Sequence, residues 1–205
     1  MRKYTDLSTQ DPADRPTWVD GIDNPYLHGP YTPVISEVTA VDLKCTQGEV
    51  PKDLYGAYMR QGPNPVHKPP GLYHWFDGDG MIHAVYFRDG KASYIRKWVQ
   101  TRGLREDITR GSAKMPGIMG PFDVAKVAGH EATQINPEYC KDTSNTTLNV
   151  FNGKLLSAWY NSGRVYRLNP LTLETEGEEN FYGALDTSMN AHGKTDARTG
   201  EFINY

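Results

Sequence analysis

The sequence has few cysteines and no long apolar run. Cys45 and Cys140 are its only cysteines, too few to staple a domain with disulfides and without the paired spacing of a zinc site, so we expect reduced structural thiols. No stretch approaches the roughly 20 apolar residues of a membrane span, and the first residues are polar rather than an apolar signal core. These absences predict a soluble, cytoplasmic protein.

Blocks of like charge and familiar hydrolase motifs are also lacking. The 22 lysines and arginines face 25 aspartates and glutamates, which leaves a formal net charge of -3. No basic run is long enough to form a nucleic-acid surface, so we expect no nucleic-acid partner. There is no G-x-S-x-G elbow, phosphate-binding glycine loop or H-E-x-x-H sequence, which leaves hydrolase and nucleotide-binding functions without support.

The sequence does contain many turn-forming residues. Its 20 glycines and 14 prolines fall between short apolar runs, a pattern typical of many strands joined by tight turns, and this predicts an all-β fold. Residues 1–33 are rich in prolines, each of which disfavours helix at the residue before it, so we expect an extended N-terminal arm. Trp18, Tyr26 and Tyr31 are expected to pack this arm against the folded body, residues 34–205.

Three pairs of strand-like runs are each joined by a turn that contains glycine: 81–87 and 92–99 at Asp89-Gly90, 147–151 and 155–160 at Asn152-Gly153, and 191–194 and 201–205 at Thr199-Gly200. Asp-Gly and Asn-Gly favour two-residue hairpin turns, because both residues reach positive φ at low cost. The interval from Gly153 to Gly200 matches the period of roughly 40–50 residues expected of propeller blades. The longer interval from Gly90 to Gly153 fits if residues 102–141 form an inserted loop with a short helix.

No local motif builds a metal site. None of the six histidines pairs with another at metal-binding spacing, and a single histidine is more often a hydrogen-bonded structural or surface residue. The segment Asp77-Gly78-Asp79-Gly80 lacks the remaining ligands of a calcium loop. It predicts a tight turn in which the aspartates accept hydrogen bonds from backbone amides and the glycines take conformations forbidden to other residues.

Two longer motifs give the chain a family resemblance: YGAYMRQGPNP at 55–65 and YHWFDGDGMIH at 73–83, followed by shorter signatures at 141–146, 153–156 and 171–175. These motifs resemble those of the carotenoid cleavage oxygenase family, and most closely those of its lignostilbene dioxygenase type. The resemblance extends from about residue 23 to the end of the sequence. The resemblance implies a seven-bladed β-propeller. It further implies that the chain holds the first blades and is incomplete at its C-terminus.

An iron site is the second implication of the resemblance. Members of the family bind Fe(2+) on the propeller axis with four histidines, and the first lies in an Ala-His-Pro-Lys or similar motif. Ala191-His192-Gly193-Lys194 matches that motif, so His192 is expected to be the first ligand, with the other three beyond residue 205. A neutral imidazole suits Fe(II). The chemistry of the family adds O2 across a conjugated C=C bond and yields two carbonyl products.

Two substrate contacts also follow from the resemblance. Tyr94 and Lys141 best match a tyrosine and a lysine that contact the phenolic hydroxyl of the substrate in the stilbene-cleaving branch. A cation and a hydrogen-bonding group there favour the phenolate, which pushes electron density toward the alkene. The residues alone leave a second interpretation open, in which Tyr94 is an ordinary strand residue and Lys141 is a solvated loop charge.

The leading hypothesis is therefore a non-haem Fe(II) dioxygenase that cleaves a conjugated C=C bond of a carotenoid, an apocarotenoid or a hydroxystilbene. Its partners are a small apolar or phenolic substrate and O2. The alternative is a non-catalytic propeller fragment or interaction module, because one histidine alone does not hold iron with useful affinity. A retinyl ester isomerase and hydrolase is a remote third hypothesis. Peripheral membrane contact for substrate access and the oligomeric state stay open.

Overall fold

The computed structural model describes residues 13–118, 141–161 and 163–204. Its strands are β1 Val38–Ala40, β2 Gly56–Pro63, β3 Gly80–Arg88, β4 Lys91–Trp98, β5 Thr147–Phe151, β6 Lys154–Ala158, β7 Tyr166–Leu168, β8 Thr175–Glu178, β9 Lys194–Thr195 and β10 Phe202–Ile203. One α-helix, α1 (Arg102–Arg110), lies in these ranges, together with short 3-10 turns at Thr17–Val19, Pro25–Leu27, Gly29–Tyr31, Trp75–Asp77 and Phe181–Gly183. None of these helices is long and apolar enough to cross a membrane.

All strand pairs in the described ranges are antiparallel, which confirms the all-β prediction. Sheet one has the order β1-β4-β3-β2, sheet two has the order β5-β6-β7-β8, and β9 pairs with β10 in a separate hairpin. Strand β2 lies beside β5, so the first strand of the β2-β3-β4 meander neighbours the first strand of sheet two. The chain thus repeats one four-stranded unit and begins a third.

The hairpin turns have the backbone that their residues predict. Asp89 and Gly90 have φ values of 52° and 73°, and Asn152 and Gly153 have 48° and 71°, as required of both central residues of a type I′ turn. The prediction that Gly90 and Gly153 mark equivalent turns of successive blades, separated by an inserted loop, was wrong, however. Asp89-Gly90 joins the second and third strands of the β2-β3-β4 meander, whereas Asn152-Gly153 joins the first and second strands of sheet two.

One face of sheet one forms the main core against sheet two. Successive strand residues point to opposite faces, and on this face the buried residues Ile82, Ala84 and Val99 pack on Leu155 and Leu168. The opposite face of sheet two, through Leu156 and Ala158, packs on Met189 and Ala191 and on Phe202 of the β9-β10 hairpin. Two apolar layers therefore hold three consecutive units side by side.

The predicted insertion between the sheets contains the expected short helix. Helix α1 begins at the cap Thr101, whose side chain accepts a hydrogen bond from Leu104 N, and it ends at Gly111 in the left-handed conformation. Leu104 is fully buried against Met81 and Trp98 of sheet one. The rest of the insertion, residues 119–140 with Cys140, lies outside the described residues.

The N-terminal arm runs over sheet one from residue 13 onward. It is extended between three 3-10 turns, and the Asn24 amide donates to Tyr73 O at 2.9 Å. Of the aromatic residues expected to pack it, Tyr26 contacts His74 with ring centroids 4.8 Å apart and Tyr31 contacts Trp75 at 5.0 Å. Trp18 is partly buried, and its indole nitrogen is shielded from solvent. The arm is thus held at the turn that precedes β3.

Candidate active site

The face of sheet one that points away from sheet two lines a cavity of about 1220 Å³. Alternate residues of three adjacent strands form its floor: Tyr58 and Arg60 of β2, His83 and Val85 of β3, and Tyr94 and Arg96 of β4. The arm contributes Asp14 and Tyr31 to the wall. A polar and aromatic floor is unusual for a sheet face that is partly covered, because polar groups lose free energy on burial unless they are paired.

Aromatic side chains form one end of the cavity. Tyr31, Trp75, Phe76 and Tyr160 line it, and their rings follow one another in contact, with centroids 5.8 Å apart for Trp75 and Phe76 and 5.6 Å for Phe76 and Tyr160. The turn that carries Trp75 and Phe76 is capped at its start, because His74 Nδ1 accepts from Phe76 N at 3.1 Å and the Asp77 carboxylate accepts from His74 N. This end offers flat, fixed, apolar surfaces that suit a planar conjugated molecule.

The turn after these aromatics has the aspartate contacts that its sequence predicts, but neither Gly78 nor Gly80 has the positive φ that would require glycine. The Asp77 carboxylate accepts from His74 N at 3.0 Å and from Ile118 N at 2.8 Å, and the Asp79 carboxylate accepts from Val66 N at 3.2 Å. The aspartates therefore satisfy backbone donors, as expected. Gly80 lies so close to the Ser144 carbonyl that a Cβ atom there would clash with it, which explains the glycine at this crossing between the sheets.

Tyr94 and His83 form a hydrogen-bonded pair on the cavity floor. The Tyr94 hydroxyl lies 2.7 Å from His83 Nδ1. Burial, together with the positive charges of Arg96 and Arg60, lowers the pKa of His83 to about 4. Burial raises the pKa of Tyr94 although Arg96 and Arg60 oppose it. Both groups are therefore neutral at neutral pH, and each can either donate or accept a hydrogen bond.

His192 lines the same cavity as Tyr94. It lies two residues before β9, its ring is exposed, and its backbone N–H donates to Asn190 Oδ1 at 2.8 Å. Gly193 sits against the Phe202 ring with no room for a side chain, and the Asn204 amide donates to Asn190 O at 3.1 Å. The short β9-β10 hairpin thus fixes the backbone that presents the imidazole.

The imidazole of His192 fits one ligand of a metal ion, because it is accessible, opens into a cavity and belongs to a braced backbone. The other histidine on the cavity wall, His83, already uses Nδ1 with Tyr94. Within the described ranges, no group of three or more histidine, cysteine, aspartate or glutamate side chains is arranged to hold a metal ion. These residues therefore supply one candidate iron ligand.

Lys141 lies in a different place. Its ammonium nitrogen is 2.5 Å from Asp79 Oδ1 and 2.7 Å from Asp107 Oδ2, and its side chain is only 8% exposed. Burial alone would lower the pKa of Lys141, but the two carboxylates raise it above its ordinary value. The interpretation of Lys141 as a solvated loop charge is wrong. The cavity brings Tyr94 and His192 together and does not include Lys141, whose role as a substrate contact stays a prediction.

Comparison with known proteins now adds the family. A family profile described as RPE65, retinal pigment epithelial membrane protein, matches residues 31–205. The chain belongs to this RPE65 and carotenoid cleavage oxygenase family. The match covers both sheets, the cavity floor and the His192 hairpin, so the resemblance identified from the motifs at 55–65 and 73–83 is confirmed.

Among curated members of the family, the chain is 37% identical to the probable carotenoid cleavage dioxygenase 4, chloroplastic, of Arabidopsis thaliana, over 93% of this chain and 33% of the relative. It is 38% identical to a carotenoid cleavage oxygenase of Mycobacterium tuberculosis, over 87% of this chain and 32% of the relative. Isoeugenol monooxygenase of Pseudomonas putida is 30% identical over 88% of this chain and 36% of the relative. The chain spans about a third of the length of these relatives.

Solved structures of the family share the fold. The lignostilbene dioxygenase of Pseudomonas brassicacearum superimposes with a TM-score of 0.71 and 27% identity, over 89% of this chain and 36% of that chain. A Synechocystis apocarotenoid oxygenase variant gives a TM-score of 0.65 and 28% identity, over 80% of this chain and 34% of that chain. Sheets one and two are therefore blades of the N-terminal portion of a β-propeller.

Proposed function

We propose that the complete protein is a non-haem iron(II) dioxygenase that cleaves a conjugated C=C bond of a carotenoid, an apocarotenoid or a hydroxystilbene. The observation that carries the proposal is the cavity that His192, Tyr94 and a row of aromatic rings line together. The names of the relatives support it, because they include carotenoid cleavage dioxygenases and a lignostilbene dioxygenase. In the overall reaction the alkene bond breaks and each carbon takes one atom of O2.

The iron would be held by His192 together with ligands outside the described residues. When bound, it supplies the redox chemistry that allows O2 to react with an alkene. The contribution of this chain is placement. Tyr31, Trp75 and Phe76 offer flat surfaces to a conjugated substrate and exclude water from it.

We propose that Tyr94 orients the substrate on the cavity floor, which β2, β3 and β4 form. Its neutral hydroxyl, held at 2.7 Å from His83 Nδ1, is suited to a hydrogen bond with a phenolic hydroxyl. We propose Tyr94 as the first phenol contact, and a contact from Lys141 would require its ion pairs with Asp79 and Asp107 to break. A phenolic substrate is expected to lose binding in Tyr94→Phe, whereas a carotenoid without hydroxyl groups is not.

A second proposal concerns the 205 residues alone. A single imidazole does not hold iron with useful affinity, because several ligands and their supporting hydrogen bonds must act together. We therefore propose that these residues by themselves form a non-catalytic portion of the propeller. Iron content and cleavage measured for this chain and for a chain with the length of its relatives distinguish the two proposals.

The decisive experiment replaces His192 in the complete protein. His192→Ala is expected to remove bound iron, measured by mass spectrometry of the metal, and to abolish cleavage of a hydroxystilbene and of an apocarotenoid. His28→Ala is the matched control, because His28 lies in the arm, bonds to Ile22 O and does not line the cavity. Wild-type iron content and cleavage in His192→Ala would refute the assignment, and 18O2 labelling of both carbonyl products tests the dioxygenase stoichiometry.

A further inference from the structure

Three basic side chains form a row across the cavity floor. Arg60, His83 and Arg96 are direct partners on β2, β3 and β4, with Arg60 opposite His83 and His83 opposite Arg96. All three line the cavity. Direct cross-strand partners have Cβ atoms about 4.5–5.5 Å apart, so the two arginines flank the neutral imidazole of His83 and lie two strands apart. Each arginine carries a positive charge that a nearby carboxylate can offset.

Asp14 compensates only one end of the row. Its carboxylate forms a close ion pair with Arg96 Nη2, and Arg96 also donates to Ser36 O at 3.0 Å and to Ser36 Oγ at 2.9 Å. Both charged side chains of this ion pair are largely buried. The arm therefore supplies the negative charge for Arg96.

Arg60 lies at the other end, on the edge strand β2, and is exposed toward the cavity. Within residues 13–118, 141–161 and 163–204, no carboxylate lies at ion-pair distance from its guanidinium group. The two arginines and the one aspartate leave an excess of one positive charge beside a neutral histidine. Burial lowers the pKa of His83, and the positive charges of Arg96 and Arg60 lower it further, to about 4.

We propose that Arg60 and His83 form a carboxylate-binding site on the cavity floor. A guanidinium group matches a carboxylate with two parallel hydrogen bonds, which is the arrangement that Arg provides best. When the Tyr94 hydroxyl donates to His83 Nδ1, neutral His83 carries its proton on Nε2 and presents a third donor. The neighbouring floor residues Tyr58 and Val85 are apolar surfaces for the body of the molecule that bears the carboxylate.

This site is independent of the iron and of the cleavage reaction, so it can fail or stand without them. It is tested by adding benzoate to the protein and following the His83 ring signals by NMR, with benzamide at equal ionic strength as the uncharged control. Benzoate is expected to shift the signals saturably and to raise the pKa of His83, because a carboxylate stabilises the imidazolium form. Equal shifts with benzamide, or no saturable shift with benzoate, would overturn the proposal.

Substitutions of Arg60 test whether benzoate binds at this site. Arg60→Gln is expected to weaken benzoate binding by at least about tenfold, the loss of one charged hydrogen-bonded partner, and Arg60→Lys to weaken it less. Arg88→Gln is the matched control, since Arg88 is an exposed arginine at the end of β3 that does not line the cavity. Circular dichroism of each variant checks its fold. Unchanged benzoate affinity in a folded Arg60→Gln protein contradicts the site.

The carboxylate can come from a free ligand or from an acidic side chain, and a chain with the length of its relatives separates the two sources. If a side chain fills the site, the pKa of His83 is already raised in the longer chain and benzoate no longer shifts its signals. If the ligand is free, the pKa stays near 4 until benzoate is added. A His83 pKa that is low in the longer chain and insensitive to benzoate would overturn the proposal.

Discussion

The Nδ1 atom of His83 lies 2.7 Å from the Tyr94 hydroxyl oxygen, across the middle of the first propeller blade. This contact joins β3 to β4 on a floor that also carries Arg60 and Arg96. Burial lowers the pKa of His83 and the positive charges of Arg96 and Arg60 lower it further, so the imidazole gains a proton only at low pH. The pair therefore links the stability of the fold to the protonation of one imidazole.

We expect His83 to make the protein less stable as the pH is lowered from about 6.5 to about 4. The unfolded chain binds a proton at His83 near pH 6.5 and the folded chain only near pH 4, so between these values the unfolded state binds more protons. The shift corresponds to roughly 3 kcal/mol. Urea unfolding at a series of pH values measures it, and His83→Gln is expected to flatten this component whereas His28→Gln retains it.

Asp142 has the opposite effect on the pH dependence of stability, over nearly the same pH range as His83. The profile of His83→Gln is therefore needed to separate the two contributions. Burial raises the pKa of Asp142 to about 6, although Arg164 N and Ser144 N donate hydrogen bonds to its carboxylate. The folded chain then binds this proton before the unfolded chain does, so the contribution of Asp142 to stability falls as the pH rises toward 6. An identical pH profile for wild type and His83→Gln would show that His83 titrates normally.

Lys141 is expected to be important for stability. Lys141→Met removes the buried cation that Asp79 and Asp107 share, and within the described residues only Asp107 keeps another ion contact, with Arg110 at 3.6 Å. Breaking a buried ion pair in this way costs about 3–5 kcal/mol. The expected result is a free energy of unfolding lowered by that amount in urea denaturation. The control is Lys154→Met, since Lys154 pairs with Glu176 at the protein surface and surface ion pairs contribute little. Equal effects of the two substitutions would contradict the buried role of Lys141.

Gly80→Ala is expected to destabilise the protein by about 3 kcal/mol, at the upper end of overpacking effects. The new Cβ atom would meet the backbone carbonyl oxygens of Ser144 and Thr143, which cannot move without shifting the second blade. Gly62→Ala is the matched control, because Gly62 lies beside Gly80 in the β2-β3 ladder region and has no atom within 4 Å of an added Cβ. Thermal unfolding of both variants is the measurement. A Gly80→Ala protein as stable as the wild type would show that the contact of Gly80 with Thr143 and Ser144 can accommodate a methyl group.

Local signals in the sequence predicted much of the fold. Asp89-Gly90 and Asn152-Gly153 require positive φ at both positions, and few residue pairs other than these accept it at low cost, so the turns and their strands were readable. Strand β1 was not predicted, because its three residues pair with β4 more than fifty positions later. Such pairing depends on tertiary register, which a short window of sequence does not contain.

The candidate site was likewise only partly predictable from the sequence. His192 and Tyr94 were selected through a family motif, and the cavity contains both. Lys141 was selected by the same route, yet no local pattern indicated that Asp79 and Asp107 would surround it. The alternation of β3 and β4 placed His83 on the face of Tyr94, but its alignment with Arg60 required the β2-β3 register across a long loop. Charge rows across strands are therefore a property of register.

Sheet one takes its outermost strand, β1, from the residues just before the β2-β3-β4 meander. All four strands thus lie between residues 38 and 98, so the backbone hydrogen bonds that pair them can form before a ribosome has translated β5. The apolar face with Ile82 and Ala84 has no partner until Leu155 and Leu168 of the second blade are made. During synthesis, the strands of the first blade can therefore pair while its apolar face is still exposed to solvent.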